Sequence, residues 1–381
     1  MSLQGTFQKH HFKLTDRREW RMTDERYMKM ALELAKRGAP WACPNPLVGA
    51  VIVKNGRIIG KGWHRCCGEN HAEINAIESA KEPVRGSTIY INLEPCSHHG
   101  RTPPCVERLV SEKPAAVVIG TIDPNPLVSG RGVATLKRHG IETRVGVLED
   151  PCREINEVFF KYIRTRTPFV TLKFAQSIDG KIATATGHSR WISSEPSRVF
   201  AHRLRSHHDA ILVGSGTVTK DDPELTCRLV KGRDPLRVVV DSKLKIHPDA
   251  RVLQDQARAR TLVFTTSGHD RKKIRVLVER GIEVRVAGTG QVDLSSVLKE
   301  LGRRQVSSLL VEGGAGVLTS FIRERLADRL IIISAPKIFG KGTDAIGELA
   351  VKTVDQAIPV TVRRVSRKSG DVIVDARFIR D

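Results

Sequence analysis

The sequence contains no apolar run that approaches the roughly 20 residues needed to cross a bilayer. Residues 1–21 are mixed and polar, and they include no apolar stretch of signal-peptide length. The cysteine count is seven, an odd number that does not suit a disulfide framework in a chain without a secretory signal. We therefore expect a cytoplasmic protein with reduced thiols and no membrane partner, in which residues 1–21 are a disordered extension or a tag.

Aromatic residues are scarce, at 5% of the chain, and no block of Lys and Arg is interleaved with them. The formal net charge is nevertheless +21, which is high enough to attract anions. Nucleic acid and phosphorylated small molecules both fit a basic protein. Because the basic residues are scattered along the chain, we favour phosphate-bearing small ligands and expect no nucleic-acid partner.

The length of 381 residues suits two domains of ordinary size. Helical periods alternate with β-branched apolar runs, such as Leu47–Val53 followed by the turn pair Asn55–Gly56. This alternation predicts a three-layer α/β domain over residues 22–150. A bridge over 151–167, mostly one helix ending at 166, is predicted to follow, and then a second α/β domain with its own sheet over 168–381.

The clearest chemistry lies in the first half, where His71 and Glu73 share one tripeptide and Cys96 is followed nine residues later by Cys105. One imidazole and two thiolates are three strong zinc ligands, which leaves a fourth tetrahedral position open for water. Zinc lowers the pKa of its bound water toward 7. Glu73 is then placed to carry the proton from that water to a leaving amine, and structural zinc is the alternative interpretation.

This zinc site makes demands on local structure. Residues two apart do not share a helix face, so His71 must stand at the very start of its helix. Cys96 follows a proline and is expected near a helix N-terminus, where the dipole favours a thiolate. His98 and His99 are interpreted as substrate or loop residues. The cysteines interpreted as structural are Cys43, Cys66, Cys67 and Cys152.

Eight residues separate the two cysteine ligands, whereas most zinc deaminases have the shorter P-C-x-x-C motif. This spacing and the segments NPLVGAVIV, HAEINAI, NLEPCSHHGRTPPC and IDPNPLVSGRG resemble the diaminohydroxyphosphoribosylaminopyrimidine deaminases of riboflavin biosynthesis. The resemblance implies a zinc domain with a cytidine-deaminase-like fold. It also implies that His71, Cys96 and Cys105 bind one zinc ion and that Glu73 is the catalytic proton shuttle.

The residues of the second half are less decisive by themselves. The segments VGSGTV at 213–218 and VEGGAG at 311–316 each follow a predicted strand, so their backbone N–H groups can cradle phosphate. Neither is a full G-x-G-x-x-G motif with a downstream acid, so a Rossmann fold is not supported. Plain turns are the alternative interpretation.

The segments TLKFAQSIDGKIA, SRWISS, AILVGSGTVTKDDPELTCR and LLVEGGAGV resemble the companion reductase domain, whose fold is similar to dihydrofolate reductase. That resemblance implies reduction of a ribosyl group to ribityl with NADPH. The positions that match the cofactor site are Ala175, Trp191, Thr217, Asp221, Ser242 and the turn from Gly314 through Ala315 and Gly316 to Ser320. The positions that match the substrate site are Ser189, Arg205, Leu225, Arg228 and Glu312.

The residue types at these positions suit the chemistry. Arg205 and Arg228 are expected to hold a ribose phosphate, because guanidinium groups bind oxyanions in a bidentate fashion. Lys173, Asp221 and Glu312 are the candidates for protonating the imine or orienting the sugar as hydride arrives at C1′. Surface charges and salt bridges are the alternative for each of them.

The sequence thus predicts a bifunctional enzyme that forms a homo-oligomer. The first domain would hydrolytically deaminate 2,5-diamino-6-(5-phosphoribosylamino)pyrimidin-4-one, and the second would reduce the ribosyl group of the product. One alternative is an RNA- or nucleobase-editing zinc deaminase with an accessory C-terminal domain, which the positive charge suggests and the long cysteine spacing opposes. Another is a chain in which one half is inactive and serves only assembly.

Overall fold

The structure is a computed structural model that describes residues 14–39, 41–99 and 102–379, with side chains described from residue 22 onward. The chain divides into two compact units, of which one ends at Phe160 and the other begins at Lys161. Of the extension predicted at 1–21, residues 1–13 lie outside the described residues and residues 14–21 begin the first helix. No helix in the described part of the chain is long and apolar enough to span a membrane.

The first unit is built on a five-stranded sheet with the strand order β2-β1-β3-β4-β5. Strand β1 is antiparallel to both of its neighbours, whereas β3, β4 and β5 are parallel. The strands are β1 (Gly49–Lys54), β2 (Arg57–Trp63), β3 (Thr88–Leu93), β4 (Ala116–Thr121) and β5 (Glu142–Val145). The helices are α1 (Leu14–Ala35), α2 (Ala72–Glu78), α3 (Cys105–Glu112), α4 (Arg131–Arg138) and α5 (Glu149–Ile155).

The alternating side chains of β1 explain the layers on the two faces of this sheet. Val51 and Val53 belong to the apolar cluster that contains α1, whereas Ala50 and Ile52 belong to the cluster that contains α2, α3 and α4. The predicted three-layer α/β fold of the first half is confirmed. The predicted hairpin turn is also present, because Asn55–Gly56 has positive φ at both residues and connects β1 to β2.

The structure differs from the single helix predicted over 151–166. Two helices, α5 and α6 (Glu157–Thr165), are separated at Asn156. Asn156 is buried, and its side chain holds the backbone of Leu47, with the Leu47 N–H donating to Oδ1 at 2.8 Å and Nδ2 donating to the Leu47 carbonyl at 3.0 Å. A single Asn is tolerated within a helix, so its presence did not predict the break.

The second unit contains a nine-stranded sheet with the order β11-β10-β9-β8-β12-β6-β13-β16-β15 and a two-stranded sheet of β7 and β14. The strands are β6 (Phe169–Ser177), β7 (Lys181–Thr184), β8 (Ala210–Gly214), β9 (Leu236–Val240), β10 (Thr261–Thr265), β11 (Glu283–Val286), β12 (Ser308–Val311), β13 (Arg329–Ala335), β14 (Gly342–Asp344), β15 (Val360–Lys368) and β16 (Asp371–Phe378). The helices are α7 (Glu195–His207), α8 (Ser215–Asp221), α9 (Arg271–Glu279), α10 (Leu294–Arg303) and α11 (Ala315–Arg323). The predicted second α/β fold with its own sheet is confirmed.

Seven neighbouring strands, from β11 to β13, run parallel, and β16 and β15 continue the sheet in antiparallel fashion. Leu309 and Val311 of β12 belong to the apolar cluster with α10 and α11, whereas Leu310 belongs to the cluster with α7 and α9. The order reverses between β8 and β12, since the chain continues from β8 to β9 on one side and from β12 to β13 on the other. Ligands of open α/β sheets bind beside such a reversal, at the carboxyl ends of the strands.

Candidate active sites

The three predicted zinc ligands converge at two helix N-termini. His71 immediately precedes α2 and has an extended backbone, and Cys105 is the first residue of α3. Cys96 follows β3, and its Sγ accepts a hydrogen bond from the Cys105 backbone N–H at 3.3 Å. The prediction that His71 stands at the start of its helix is confirmed. Cys96 does lie at a helix N-terminus, although that helix begins nine residues later in the chain.

The ligand atoms of His71, Cys96 and Cys105 lie within 4.8 Å of one another. His71 Nδ1 is 3.2 Å from Cys105 Sγ and 3.5 Å from Cys96 Sγ. Tetrahedral zinc with bonds of about 2.0–2.3 Å requires N and S ligand atoms about 3.6 Å apart. The donor set and its spacing therefore fit one zinc ion held by three protein ligands, which is the ligand count of catalytic zinc sites.

The contacts within this cluster also shift the proton affinities of the ligands. Hydrogen bonding with Cys105 lowers the pKa of the Cys96 thiol, and the same contact raises the pKa of Cys105. A hydrogen bond with Cys96 raises the pKa of His71. One thiolate is thus favoured by the protein itself, and a zinc ion held by these residues would supply the positive charge that favours the second thiolate.

Glu73 lies in the first turn of α2 and is 3% exposed. Burial raises the pKa of its carboxyl to about 7, against the opposing influence of His71. A carboxyl with a pKa near the working pH both accepts and donates a proton readily, as a general acid–base group must.

Two buried groups beside the zinc ligands were missed by the sequence reasoning. His64 packs edge-on against His71, with 5.2 Å between the ring centroids, and its Nε2 is 3.1 Å from Asn45 Nδ2. Asp123 follows β4, and burial raises the pKa of its carboxyl to about 6, with Glu94 and Cys96 acting in the same direction. These residues lie on separate segments, so no local sequence signal connects them to the zinc motif.

The structure distinguishes the two histidines that the sequence treated alike. His98 Nδ1 and Ser97 Oγ are sealed from solvent and have no hydrogen-bond partner in the described part of the chain. His99 is exposed, and its Nε2 lies 3.5 Å from the carboxylate of Glu107. Of the two, His98 therefore carries an unsatisfied polar atom, and it lies two residues after the zinc ligand Cys96.

A cleft of about 640 Å³ in the second unit collects most of the predicted reductase residues, and its size is typical of small-molecule sites. The predicted residues that line it are Lys173, Ala175, Ser189, Trp191, Arg205, Asp221, Leu225 and Arg228. Ser189 Oγ donates to Asp221 Oδ1 at 3.3 Å. The cleft is also lined by His202, Glu224 and Arg251, which the sequence reasoning did not select.

The predicted residue Glu312 lies against two cations that line this cleft. Arg205 contacts it twice, with Nη2 2.7 Å from Oε2 and Nε 3.3 Å from Oε1, and Lys173 Nζ is 3.9 Å from Oε1. Burial raises the pKa of Glu312, but the charges of Arg205 and Lys173 outweigh it and lower this pKa to about 2. Burial also lowers the pKa of Lys173. Glu312 is therefore a fixed anion, whereas Lys173 holds its proton less tightly than an exposed lysine does.

The two predicted phosphate-binding arginines are used differently. Arg205 is engaged by Glu312 and also donates from Nη1 to the carbonyl of Thr226 at 3.3 Å. Arg228 lies at the more exposed part of the cleft and shares the carboxylate of Glu224 with Arg251. The trio of Arg228, Glu224 and Arg251 carries a net positive charge beside the cleft, which suits an anion.

A smaller cavity of about 370 Å³ lies where the strand order reverses. Gly216 and Gly316 both line it, and a Cβ added to either glycine would meet no heavy atom within 4 Å. The Gly314 N–H donates to Thr217 Oγ1 at 3.0 Å, which ties together the turns that open α8 and α11. Two glycine turns beside open space fit the phosphates of a dinucleotide such as NADPH.

The predicted cofactor positions are divided between the two cavities. Ala175, Trp191 and Asp221 line the larger cleft together with the predicted substrate residues. Ser242, Gly316 and Ser320 line the smaller cavity. Thr217 and Gly314 form the hydrogen-bonded pair of turns, and Ala315 is the first residue of α11.

Comparison with known proteins gives matches over both halves. A family model described as the cytidine and deoxycytidylate deaminase zinc-binding region matches residues 21–121, and the model of the RibD C-terminal domain matches residues 168–373. The riboflavin biosynthesis protein RibD of Aquifex aeolicus is 43% identical, covering 93% of this chain and 98% of that protein. The protein of the same name from Escherichia coli is 39% identical, covering 86% and 90%.

A solved structure is similar over the same extent. It is a diaminohydroxyphosphoribosylaminopyrimidine deaminase/5-amino-6-(5-phosphoribosylamino)uracil reductase from Thermotoga maritima. The two share 40% sequence identity with a TM-score of 0.84, and the match covers 94% of this chain and 100% of that chain.

Proposed function

This chain belongs to the RibD family of riboflavin biosynthesis proteins, and from that premise we propose how its residues divide two reactions. The protein is a bifunctional enzyme, a zinc-dependent pyrimidine deaminase joined to an NADPH-dependent reductase. Its substrate is a phosphorylated pyrimidine. The RNA-editing alternative is not favoured, because the second half matches a riboflavin reductase domain and not an accessory module.

The first reaction replaces a ring amine of the diaminopyrimidine by oxygen, with one water consumed and one ammonia released. Zinc held by His71, Cys96 and Cys105 supplies, when bound, a water of lowered pKa. Glu73 accepts a proton from the attacking water and delivers it to the leaving amine. Its buried carboxyl supports this role, because a pKa near 7 lets it act in both directions.

The polar groups around the zinc ligands are proposed to hold the pyrimidine. His64 and Asn45 form a hydrogen-bonded pair next to His71, and Asp123 is a buried carboxyl on the neighbouring segment.

The second reaction reduces the ring-opened ribose at C1′ to a ribityl chain, with hydride supplied by NADPH when it is bound. We assign the nicotinamide end of the cofactor to the larger cleft, near Ala175 and Trp191, and its other end to the smaller cavity. Lys173 delivers the proton that accompanies hydride transfer, because its buried ammonium has a lowered pKa and lines the cleft. Glu312 holds Lys173 in place and stays ionised.

The phosphate of the substrate is assigned to the arginines beside Glu224. Arg228 and Arg251 both contact that single carboxylate, so one positive charge of the trio remains uncompensated. Arg205 is instead a positioning residue, since each of its three side-chain nitrogens already donates to Glu312 or Thr226. Guanidinium pairs are well suited to phosphate because they donate in a planar, bidentate geometry.

We further propose that the chain works in the cytoplasm as a homo-oligomer with two separate catalytic domains. Cys66, Cys96, Cys105, Cys152 and Cys227 are free thiols, which suits work in a reducing cytoplasm. The edge strand β15 leaves Val362 and Val365 exposed, which offers a surface for a second copy in a homo-oligomer. The catalytic domains are assigned to residues 22–150 and 168–381, joined by the bridge 151–167. Light scattering on the purified chain tests the oligomeric state.

The observation that carries the assignment is that a three-ligand zinc site and a cleft with the buried Lys173–Glu312–Arg205 cluster occur on one chain. The test supplies the phosphoribosyl diaminopyrimidine first without NADPH and then with it. We expect ammonia release before NADPH is added and NADPH consumption afterwards. Deamination of tRNA without deamination of the free pyrimidine nucleotide would contradict the assignment.

A further inference from the structure

His202 is a nearly buried histidine of α7 that lines the reductase cleft, and it is 7% exposed. Its Nδ1 accepts a hydrogen bond from the backbone N–H of Arg228 at 3.0 Å. A ring nitrogen that accepts from an N–H carries no proton itself, so the proton of the neutral ring is on Nε2. The backbone of Arg228 thus fixes the tautomer.

The other ring nitrogen of His202, Nε2, remains available to a ligand. Among the described residues, no hydrogen bond involves His202 Nε2, and this atom is not one of the buried polar atoms sealed from solvent. His202 lines the 640 Å³ cleft, so Nε2–H is a donor presented to whatever fills that space.

The surroundings of His202 keep the ring uncharged. Burial, followed by the positive charges of Arg205 and Arg228, lowers the pKa of His202 to about 4, against the opposing influence of Glu312. Lys173 acts in the same direction as the arginines. His202 is therefore a neutral hydrogen-bond donor among cations. A neutral donor suits an uncharged oxygen, whereas the neighbouring arginines suit an anion.

The neighbouring His208 shows what a purely structural histidine looks like here. His208 lies just after α7 and is also buried, but both of its nitrogens are occupied. Nδ1 is 2.7 Å from the carbonyl of Leu204, and Nε2 is 3.0 Å from Thr171 Oγ1. In His202, by contrast, only Nδ1 has a hydrogen-bond partner among the described residues.

We propose that His202 is a substrate-binding residue of the reductase site, whose Nε2–H donates a hydrogen bond to an uncharged oxygen of the pyrimidine ribotide. The oxygen is a ribose hydroxyl or the ring carbonyl, since the phosphate is matched by the arginines of the cleft. This inference rests on the function proposed above. A site built to donate to such an oxygen rejects analogues that lack it, because the donor is then left unpaired.

Two substitutions test the roles of the two ring nitrogens of His202 separately. In His202→Asn the side chain can still accept from the Arg228 N–H but is too short to reach the position of Nε2. In His202→Gln the longer amide can place an N–H close to that position. We expect the asparagine variant to raise the KM for the deaminated substrate about tenfold and the glutamine variant to stay within about threefold of wild type. The KM for NADPH and the zinc-dependent ammonia release should not change.

The same kinetics on His208→Gln provide the matched control. This change should lower the melting temperature and leave the KM for the deaminated substrate unaltered. An unchanged substrate KM in His202→Asn, or equal increases in the asparagine and glutamine variants, would overturn the assignment of His202. If the wild-type enzyme itself fails to oxidise NADPH with this substrate, the proposed reductase function fails instead.

A 2′-deoxyribosyl analogue of the substrate tests whether the 2′-hydroxyl is the acceptor. If His202 binds the 2′-hydroxyl, removing that hydroxyl should raise the KM of the wild type, and His202→Asn should cause no further increase with the analogue. If His202 binds another ribose hydroxyl or the ring carbonyl, the increases in KM caused by the variant and by the analogue should multiply. Both results support the proposal and differ only in which oxygen receives the hydrogen bond.

Discussion

Glu73 of the zinc site and Glu312 of the reductase site are both almost completely buried, yet the surroundings give the two carboxyls opposite character. Glu73 is 3% exposed, and burial raises its pKa to about 7. The side chain of Glu312 is 9% exposed, and there Arg205 and Lys173 outweigh burial and lower the pKa to about 2. Burial alone therefore does not assign a role: Glu73, with its raised pKa, is suited to exchange protons, whereas Glu312 is paired with Arg205 and Lys173 and holds these cations in place.

The largest loss of activity is expected when a zinc ligand is substituted. In Cys96→Ser the site loses a thiolate, so zinc content should fall and ammonia release should drop to background. NADPH oxidation with the deaminated substrate should be retained. Zinc analysis and the two activity assays measure this, with Cys67→Ser as the matched control, since Cys67 is not among the clustered ligands. Loss of both activities in Cys96→Ser would mean that the two sites are not separable.

The second-largest loss of activity is expected when the proposed proton donor of the reductase, Lys173, is substituted. Lys173→Met removes the buried ammonium, so kcat of NADPH oxidation should fall about 10²–10⁴-fold, while ammonia release stays at the wild-type level. Asp221→Asn should have a smaller effect, because the Asp221 carboxylate accepts a hydrogen bond from Ser189 and contacts no Lys or Arg side chain among the described residues. If Asp221→Asn proves the more damaging of the two, Lys173 is not the proton donor.

The two glutamates can also be compared by stability. Glu312→Gln leaves Arg205 and Lys173 buried without their anion, which should destabilise the second unit by about 3–5 kcal/mol. Glu73→Gln should cost much less, because no Arg or Lys in the described residues is ion-paired with Glu73. Denaturant unfolding of both variants measures the difference. Equal losses of unfolding free energy would contradict the contrast between them.

A smaller effect is expected for the pH dependence of stability that His208 causes. Burial lowers the pKa of His208 to about 4, whereas an unfolded histidine titrates near 6.5. The unfolded state therefore binds the proton first, and stability present above pH 6.5 is lost as the pH falls toward 4. This one group contributes at most on the order of 3 kcal/mol of that loss. The free energy of unfolding of His208→Gln should depend less on pH over this range. Parallel curves of unfolding free energy against pH for wild type and variant would show that folding does not lower the pKa of His208.

The zinc site was predictable because its chemistry is concentrated in two short segments. The three ligands and Glu73 lie between residues 71 and 105, and the need for His71 at a helix start follows from helix geometry alone. His64 and Asp123 were missed because they reach the site from other segments, and each resembles an ordinary polar residue in its local sequence.

The reductase site could not be derived in this way. Its residues come from segments between Lys173 and Ser320, and the residues alone indicated only the two glycine turns. The resemblance to the reductase family supplied the rest. It did not supply His202 or Arg251, because the position of each depends on a contact with a distant backbone or carboxylate. The break at Asn156 was missed for the same reason, since its partner Leu47 is remote in sequence.

The most direct test of two independent sites on one chain is the activity of Glu73→Gln on each substrate separately. The variant should keep its zinc, release ammonia from the diaminopyrimidine about 10²–10⁴-fold more slowly, and oxidise NADPH at the wild-type rate when the deaminated substrate is supplied. Glu78→Gln, an exposed change in the same helix, is the control and should leave both rates intact. Loss of NADPH oxidation in Glu73→Gln would contradict the account.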